Sequence, residues 1–242
     1  MVTTEKELDK IALEYHSSDI LKDKFIEDWS QEYSYQWVFS KIRGSHSVLE
    51  MGYGEGNFTD QLVKRGFDIT VVDGSALLLE KAKALYEDRI KTDHFLFEKY
   101  SPGRKFDCIL ATHVLEHVDH PVELLKRMKT WLTDTGLIVL IVPNMESIHR
   151  QLAVVMGLQP ALDSLGERDR LVGHKRVYSM KALVSDVEAS GLKAVETTGF
   201  FLKILPNSMM LNFSEALLKA LLTISPSIPA NLLANIAVIA RA

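Results

Sequence analysis

Five residues in one stretch have the types and spacing to hold a ligand: Glu50, then Gly52, Gly54 and Gly56 at alternate positions, then Asp73. Glycine reaches backbone conformations closed to other residues and lets a ligand touch the main chain, so alternate glycines specify a tight turn open to close approach. An acid just past the second strand of a parallel sheet sits where its carboxylate accepts hydrogen bonds from sugar hydroxyls. The elements that must position these groups are legible around them. Ser47 to Met51 is a short apolar run fit for a strand buried on both faces. A helix follows from about Phe58 to Arg65, with Asn57 and Thr59 as candidate caps. A second apolar run, Ile69 to Val72, ends on Asp73. The unit is strand, glycine loop, helix, strand, acid.

The spacing narrows the ligand. A dinucleotide fingerprint needs a third glycine where Asn57 stands, and a P-loop needs a Gly-Lys-Ser/Thr ending that is missing. An acid, Glu50, followed by G-x-G-x-G and then Asp73 resembles the glycine-rich motif of the class I S-adenosylmethionine-dependent methyltransferases. The resemblance implies an α/β fold, Rossmann-like, with a seven-stranded, mostly parallel sheet, helices on both faces and the last strand antiparallel. It implies S-adenosyl-L-methionine as cofactor and methyl transfer to a small-molecule metabolite. Asp73 is then expected to bind the ribose and Gly52 to Gly56 to face the methionine arm and ribose, with Glu50, Tyr53 and Gly74 in the same cofactor-binding set.

Composition sets outer bounds. A chain of 242 residues suits one domain with a full core. Lys and Arg number 28 against 32 Asp and Glu, and no basic stripe stands out, which argues against nucleic acid as partner. One cysteine, Cys108, lies in an apolar run, and the polar start MVTTEKELDK has no signal core; both fit a cytoplasmic protein. Ala220 to Ala240 carries no charge and is long enough to cross a bilayer. Pro226, Pro229, Asn231 and Asn235 interrupt it, so a helix end, a turn and a final buried strand are predicted, with no membrane association. The sequence leaves monomer and homodimer both open.

Residues 1–43 are predicted to form an N-terminal helical lid, with Leu8, Ile11 and Tyr15, then Phe25, Trp29, Tyr33 and Trp37 at helical intervals. Aromatic faces attract a sulfonium as they attract other cations. Tyr33, Tyr35 and Trp37 are therefore candidate walls of the cofactor pocket, core packing being the alternative. His94 to Phe97 reads as a third strand ending at Glu98; in the family this strand end borders the adenine, which nominates Phe97 and Glu98. Phe106 to Thr112 is the fourth strand. After it, His113-x-x-Glu116-His117 has the residue order of an inverted zinc-protease motif. That motif belongs inside a helix, whereas here it follows a buried strand, with no third ligand apparent, so no metal is expected. The run also resembles the strand-four ending of the methyltransferase family. Thr112 and His113 then lie at the C-terminal sheet edge, where open α/β sheets bind ligands, and His117 is structural.

A helix from Pro121, a central strand from Leu137 to Val142 and a helix over 145–157 follow, with Asn144 at the strand end as a candidate to hold a substrate group. Residues 159–178 read as an inserted cap. Its last part, Gly173-His174-Lys175-Arg176-Val177-Tyr178, resembles a segment of a subgroup acting on small metabolites or sugars. His174 and Tyr178 are a candidate acid/base pair and Arg176 a candidate anion holder, anchoring of the cap being the alternative. Leu192 to Ile204, a helix over 212–224 and a strand from Asn235 to Ala240 complete the chain. Methyl transfer is an in-line displacement in which alignment supplies much of the rate. A base is needed only for a protonated nucleophile, with His113 or His174 as candidates. The same subgroup resembles the azetidine-2-carboxylate synthases, in which the cofactor's amine attacks its own γ-carbon and releases methylthioadenosine. Asn144 and Tyr178 are the partners that such a cyclisation would use.

Overall fold

The computed structural model describes residues 4–13 and 25–242; Tyr15, one of the residues in the lid pattern, lies outside them. Seven strands form one sheet in the order β3-β2-β1-β4-β5-β7-β6. Strands β1 (Ser47–Met51), β2 (Asp68–Asp73), β3 (Ile90–His94), β4 (Phe106–Thr112) and β5 (Leu132–Pro143) run parallel. β7 (Asn235–Arg241) is antiparallel to both β5 and β6 (Lys193–Phe200). The seven-stranded sheet with its antiparallel last strand agrees with the expected fold.

Alternation along the strands divides the core into two layers. Leu49, Met51, Ile109, Ala111, Ile138 and Leu140 face one side, where α5 (Pro121–Thr130) and α8 (Met180–Ala189) contribute Leu125, Met128, Leu183 and Val187. Val48, Cys108, Leu110, Leu137 and Val139 face the other, against α2 (Phe25–Lys41), α3 (Asn57–Lys64) and α4 (Ala76–Tyr86). A strand fully covered on both faces leaves only its ends for chemistry, and the C-terminal ends of β1, β2, β4 and β5 gather along one rim.

Several predicted boundaries move. The third strand is Ile90–His94, paired from Ile69↔Ile90 to Asp73↔His94, rather than His94 to Phe97. An edge strand needs only one buried face, so polar Lys91 and Thr92 are tolerated in it. The aromatic run beyond is a turn, closed by Tyr100 N–H donating to the Leu96 carbonyl. The cap of α3 is Gly56 at φ +82°, with no side-chain cap; Thr59 instead spends its hydroxyl on Glu50. The lid region comprises α1 (Glu5–Ile11) and α2, and Tyr33, Tyr35 and Trp37 pack on the core layer beneath α2 rather than on a pocket wall. The apolar 220–240 segment divides into the end of α10 (Glu215–Ile224), short turns and β7, and among the described residues no helix is long and apolar enough to cross a membrane.

Candidate active site

The rim opens into a cavity of about 880 Å³. One end is built by the glycine turn. Gly52, Gly54 and Gly56 all have positive φ (86°, 53° and 82°), the region that glycine alone enters freely. Gly52 N–H donates to the Val72 carbonyl, which ties the turn to β2. Asp73 fixes it further: one carboxylate oxygen accepts from Tyr53 N–H at 2.8 Å, the other from Ser75 N–H at 2.7 Å. An ionised carboxylate can only accept hydrogen bonds, with two lone-pair sites on each oxygen. Glu50 lies beside it, buried, and accepts from the Thr59 hydroxyl at 2.7 Å. Burial pushes its carboxyl up to about 8, and the Asp73 charge adds to the rise. A cationic ligand group at this end would relieve both carboxylates.

Gly74, Ser75, Leu78, Leu96, Phe97 and Glu98 continue this wall, and α1 covers it with Leu8, Ile11 and Ala12. Asp9 on α1 accepts from the Ser75 hydroxyl at 2.6 Å and from Leu77 N–H, so the lid is latched to the start of α4. A Cβ at Gly74 would lie 2.4 Å from Leu8, so the close lid contact depends on that glycine. Gly56 does not line the cavity; its hydrogen atom faces the Tyr53 ring. Tyr33 is likewise absent from the lining.

The other end combines the loop after β4, the end of β5, α6 (Ile148–Val155) and the insertion. His113, at φ +57°, turns the chain off β4, and its Nδ1 lies 3.1 Å from a Glu116 oxygen. Burial opposes the imidazolium, but the Glu116 hydrogen bond and charge outweigh it and raise the His113 pKa. Burial likewise opposes the Glu116 carboxylate, and the His113 bond with the nearby imidazoles holds its pKa below the usual range. Across the cavity, Asp169 on α7 (Glu167–Leu171) accepts from Arg150 at 2.7 Å and lies 3.0 Å from His174 Nδ1. Burial opposes its charge; His174 and Arg150 hold its pKa well below the ordinary value nonetheless.

His149 sits at the start of α6, where sequence patterning gave it no role. It lines the cavity, and its Nδ1 is buried with no hydrogen-bond partner among the described residues. Burial, then the charges of Lys203 and Arg150, keep its pKa well below 6.5. The signal available in the sequence was its place just beyond the end of a buried strand, where ligand sites of open sheets fall.

Three predicted site residues have other work. Asn144 lines the cavity but its amide donates to the Asn231 and Leu233 carbonyls while its oxygen accepts from Glu146 N–H. Tyr178 is buried in the core, its hydroxyl donating to Asp186 at 3.0 Å, and it does not line this cavity. Arg176 donates to the carbonyls of Leu115, Val118 and Asp119, clamping the post-β4 loop rather than an anion. Segment 173–178 thus runs as an added ribbon beside that loop, Lys175 N–H bonding the Glu116 carbonyl and Met145 N–H the Tyr178 carbonyl. His174 is carried to His117 by this ribbon, their rings meeting edge to face at 4.7 Å. His174 and Tyr178 therefore point to different environments and form no acid/base pair.

Comparison with known proteins agrees with this geometry. A family model described as a methyltransferase domain matches residues 22–197. The ubiquinone biosynthesis O-methyltransferase of Coxiella burnetii is 24% identical over 177 residues, covering 71% of this chain and 73% of that protein. A Mesorhizobium loti S-adenosylmethionine-dependent methyltransferase superposes with a TM-score of 0.59 at 16% identity, over 81% of this chain and 90% of that one. The Burkholderia thailandensis 1,6-didemethyltoxoflavin-N1-methyltransferase, solved with that compound and S-adenosylhomocysteine, gives a TM-score of 0.61 at 15% identity, over 98% and 87%. With the family match spanning most of its length and the fold following the same plan, this chain belongs to the S-adenosylmethionine-dependent methyltransferases of class I.

Proposed function

We propose that the enzyme methylates a small-molecule metabolite in the cytoplasm. The observation that carries the reading is the division of the cavity: acids and open backbone at one end, half-buried imidazoles at the other. Asp73 receives the ribose hydroxyls, Glu50 and the glycine turn face the methionine arm, Phe97 flanks the adenine, and Thr112 and His113 border the methyl group. The acceptor lies among His113, His149 and His174. The volume of about 880 Å³ falls in the range that holds a cofactor and a metabolite, roughly 300–1,000 Å³. The names of the ubiquinone-pathway relatives and the toxoflavin-type substrate of the Burkholderia enzyme support a small acceptor. α1, α2 and the 159–178 insertion exclude water from the displacement. His149, neutral at working pH, offers a hydrogen-bonding atom that an acceptor group can satisfy; His113, its imidazolium favoured by Glu116, is the stronger base but the less available one, since that preference leaves it fewer chances to take up a proton.

Cyclisation of the cofactor loses its support, because the Asn144 amide and Tyr178 hydroxyl on which it rested are engaged elsewhere. Incubation with S-adenosylmethionine and a metabolite panel tests the proposal. S-adenosylhomocysteine should form only when an acceptor is present. Methylthioadenosine released without one would overturn it.

A further inference from the structure

We propose that Glu116, His117 and His174 form a binding site for a divalent first-row transition-metal ion, with an open coordination position toward the acceptor end of the cavity. One ligand atom from each residue lies within 4.8 Å of the others. The second observation is Glu116 itself: the side chain is fully buried, one oxygen is taken up by His113, and the other has no hydrogen-bond partner among the described residues. A buried carboxylate oxygen left without a donor is costly unless a cation or donor occupies the site.

The surroundings orient each ligand as metal sites do. The Asp169 carboxylate can only accept, so the His174 nitrogen 3.0 Å away, Nδ1, carries the proton and Nε2 keeps its lone pair. A carboxylate behind a histidine in this way fixes the tautomer and raises the ligand's basicity. His113 plays the same supporting part for Glu116. Two neutral imidazoles and one carboxylate leave a divalent ion with one net positive charge.

The sequence held two of the three ligands in the H-x-x-E-H run, but His174 is 57 positions beyond His117 (174 − 117). The Arg176 clamp, the Lys175 to Glu116 backbone bond and the His174 bonds to Asp169 bring it into place. A tetrahedral ion with bonds of about 2.0–2.1 Å wants its ligands roughly 3.4 Å apart, so loading draws the three inward. Imidazole-rich donor sets favour zinc, nickel, copper or iron over magnesium. His117 and His174 line the cavity, so the vacant position faces the proposed acceptor. An acceptor oxygen held there would be oriented and its proton made easier to lose; that role rests on the methyltransferase reading, whereas the ion site does not.

Metal-free full-length protein titrated with Co²⁺ and followed by its visible ligand-field absorption tests the site. One ion per chain is expected, displaced by Zn²⁺ and not by excess Mg²⁺. Glu116→Gln and His174→Ala should each weaken uptake at least tenfold, and His174→Gln serves if the alanine variant unfolds. No ligand-field band, displacement by Mg²⁺, or undiminished uptake in the folded variants would overturn the proposal. Calorimetry of S-adenosylhomocysteine with the same metal-free protein keeps the readings apart, since the cofactor pocket should bind it without any metal.

Discussion

The backbone N–H of Tyr53 and the carboxylate of Asp73 meet at 2.8 Å, so the residue expected to clasp the ribose also shapes the glycine turn proposed to receive the rest of the cofactor. Asp73→Ala should therefore weaken S-adenosylhomocysteine binding by about 1–3 kcal/mol, from lost ligand bonds and a loosened turn. Calorimetry reads it. Wild-type affinity in the variant would remove Asp73 from the cofactor site.

Glu50 titrates at about 8 in the folded chain against an ordinary 4.5. Between those values the folded state holds a proton that the unfolded chain has released, so this group's contribution to stability falls as pH rises through that window. Glu50→Gln, which imitates the neutral acid, should flatten that fall in urea unfolding curves. The ammonium group of the methionine arm favours the ionised form, so wild type should release protons on binding S-adenosylhomocysteine at pH 7 and the variant should not. Calorimetry in buffers of different ionisation enthalpy measures the difference.

Gly56 caps α3 at φ +82°, and a Cβ there would lie 2.5 Å from the Tyr53 hydroxyl. Gly56→Ala should cost roughly 1–2 kcal/mol for the backbone alone, lowering the melting temperature by roughly 2–8 °C. Displacement of Tyr53 should weaken cofactor binding too. A thermal scan matching wild type would show that the turn accommodates a side chain.

His149 offers a buried nitrogen to the end of the cavity proposed to hold the acceptor. His149→Ala should lower kcat/KM for an accepted metabolite at least tenfold while S-adenosylhomocysteine affinity stays within twofold. Equal losses in both measurements would mean that the residue supports the fold rather than the acceptor.

Tyr178 contributes one hydrogen bond to Asp186 from within the core. Tyr178→Phe should cost about 1 kcal/mol in denaturant unfolding, near the middle of the range for a single hydrogen bond. A loss of turnover far beyond that destabilisation would return the hydroxyl to the chemistry.

The geometry of the glycine turn and its acids was legible in the chain because its parts are local. Glu50, the alternate glycines and Asp73 lie within one strand-turn-helix-strand unit, and strand period and glycine conformation fix their relative positions with little help from elsewhere. The parallel sheet was legible for the same reason, since strands covered on both faces must be apolar throughout. Edge strand β3 lacks that constraint, and an aromatic turn took its place in the reading. The other end of the cavity was decided by tertiary structure. Asn144, Arg176 and Tyr178 have the residue types of ligand holders, yet which groups they meet depends on carbonyls and carboxylates distant in sequence. His149 becomes notable only because burial leaves it without a partner, and Glu116, His117 and His174 meet only because an inserted ribbon is clamped beside the loop after β4. Side-chain type is written in the sequence; what a side chain has left to offer is settled by how the folded chain satisfies it.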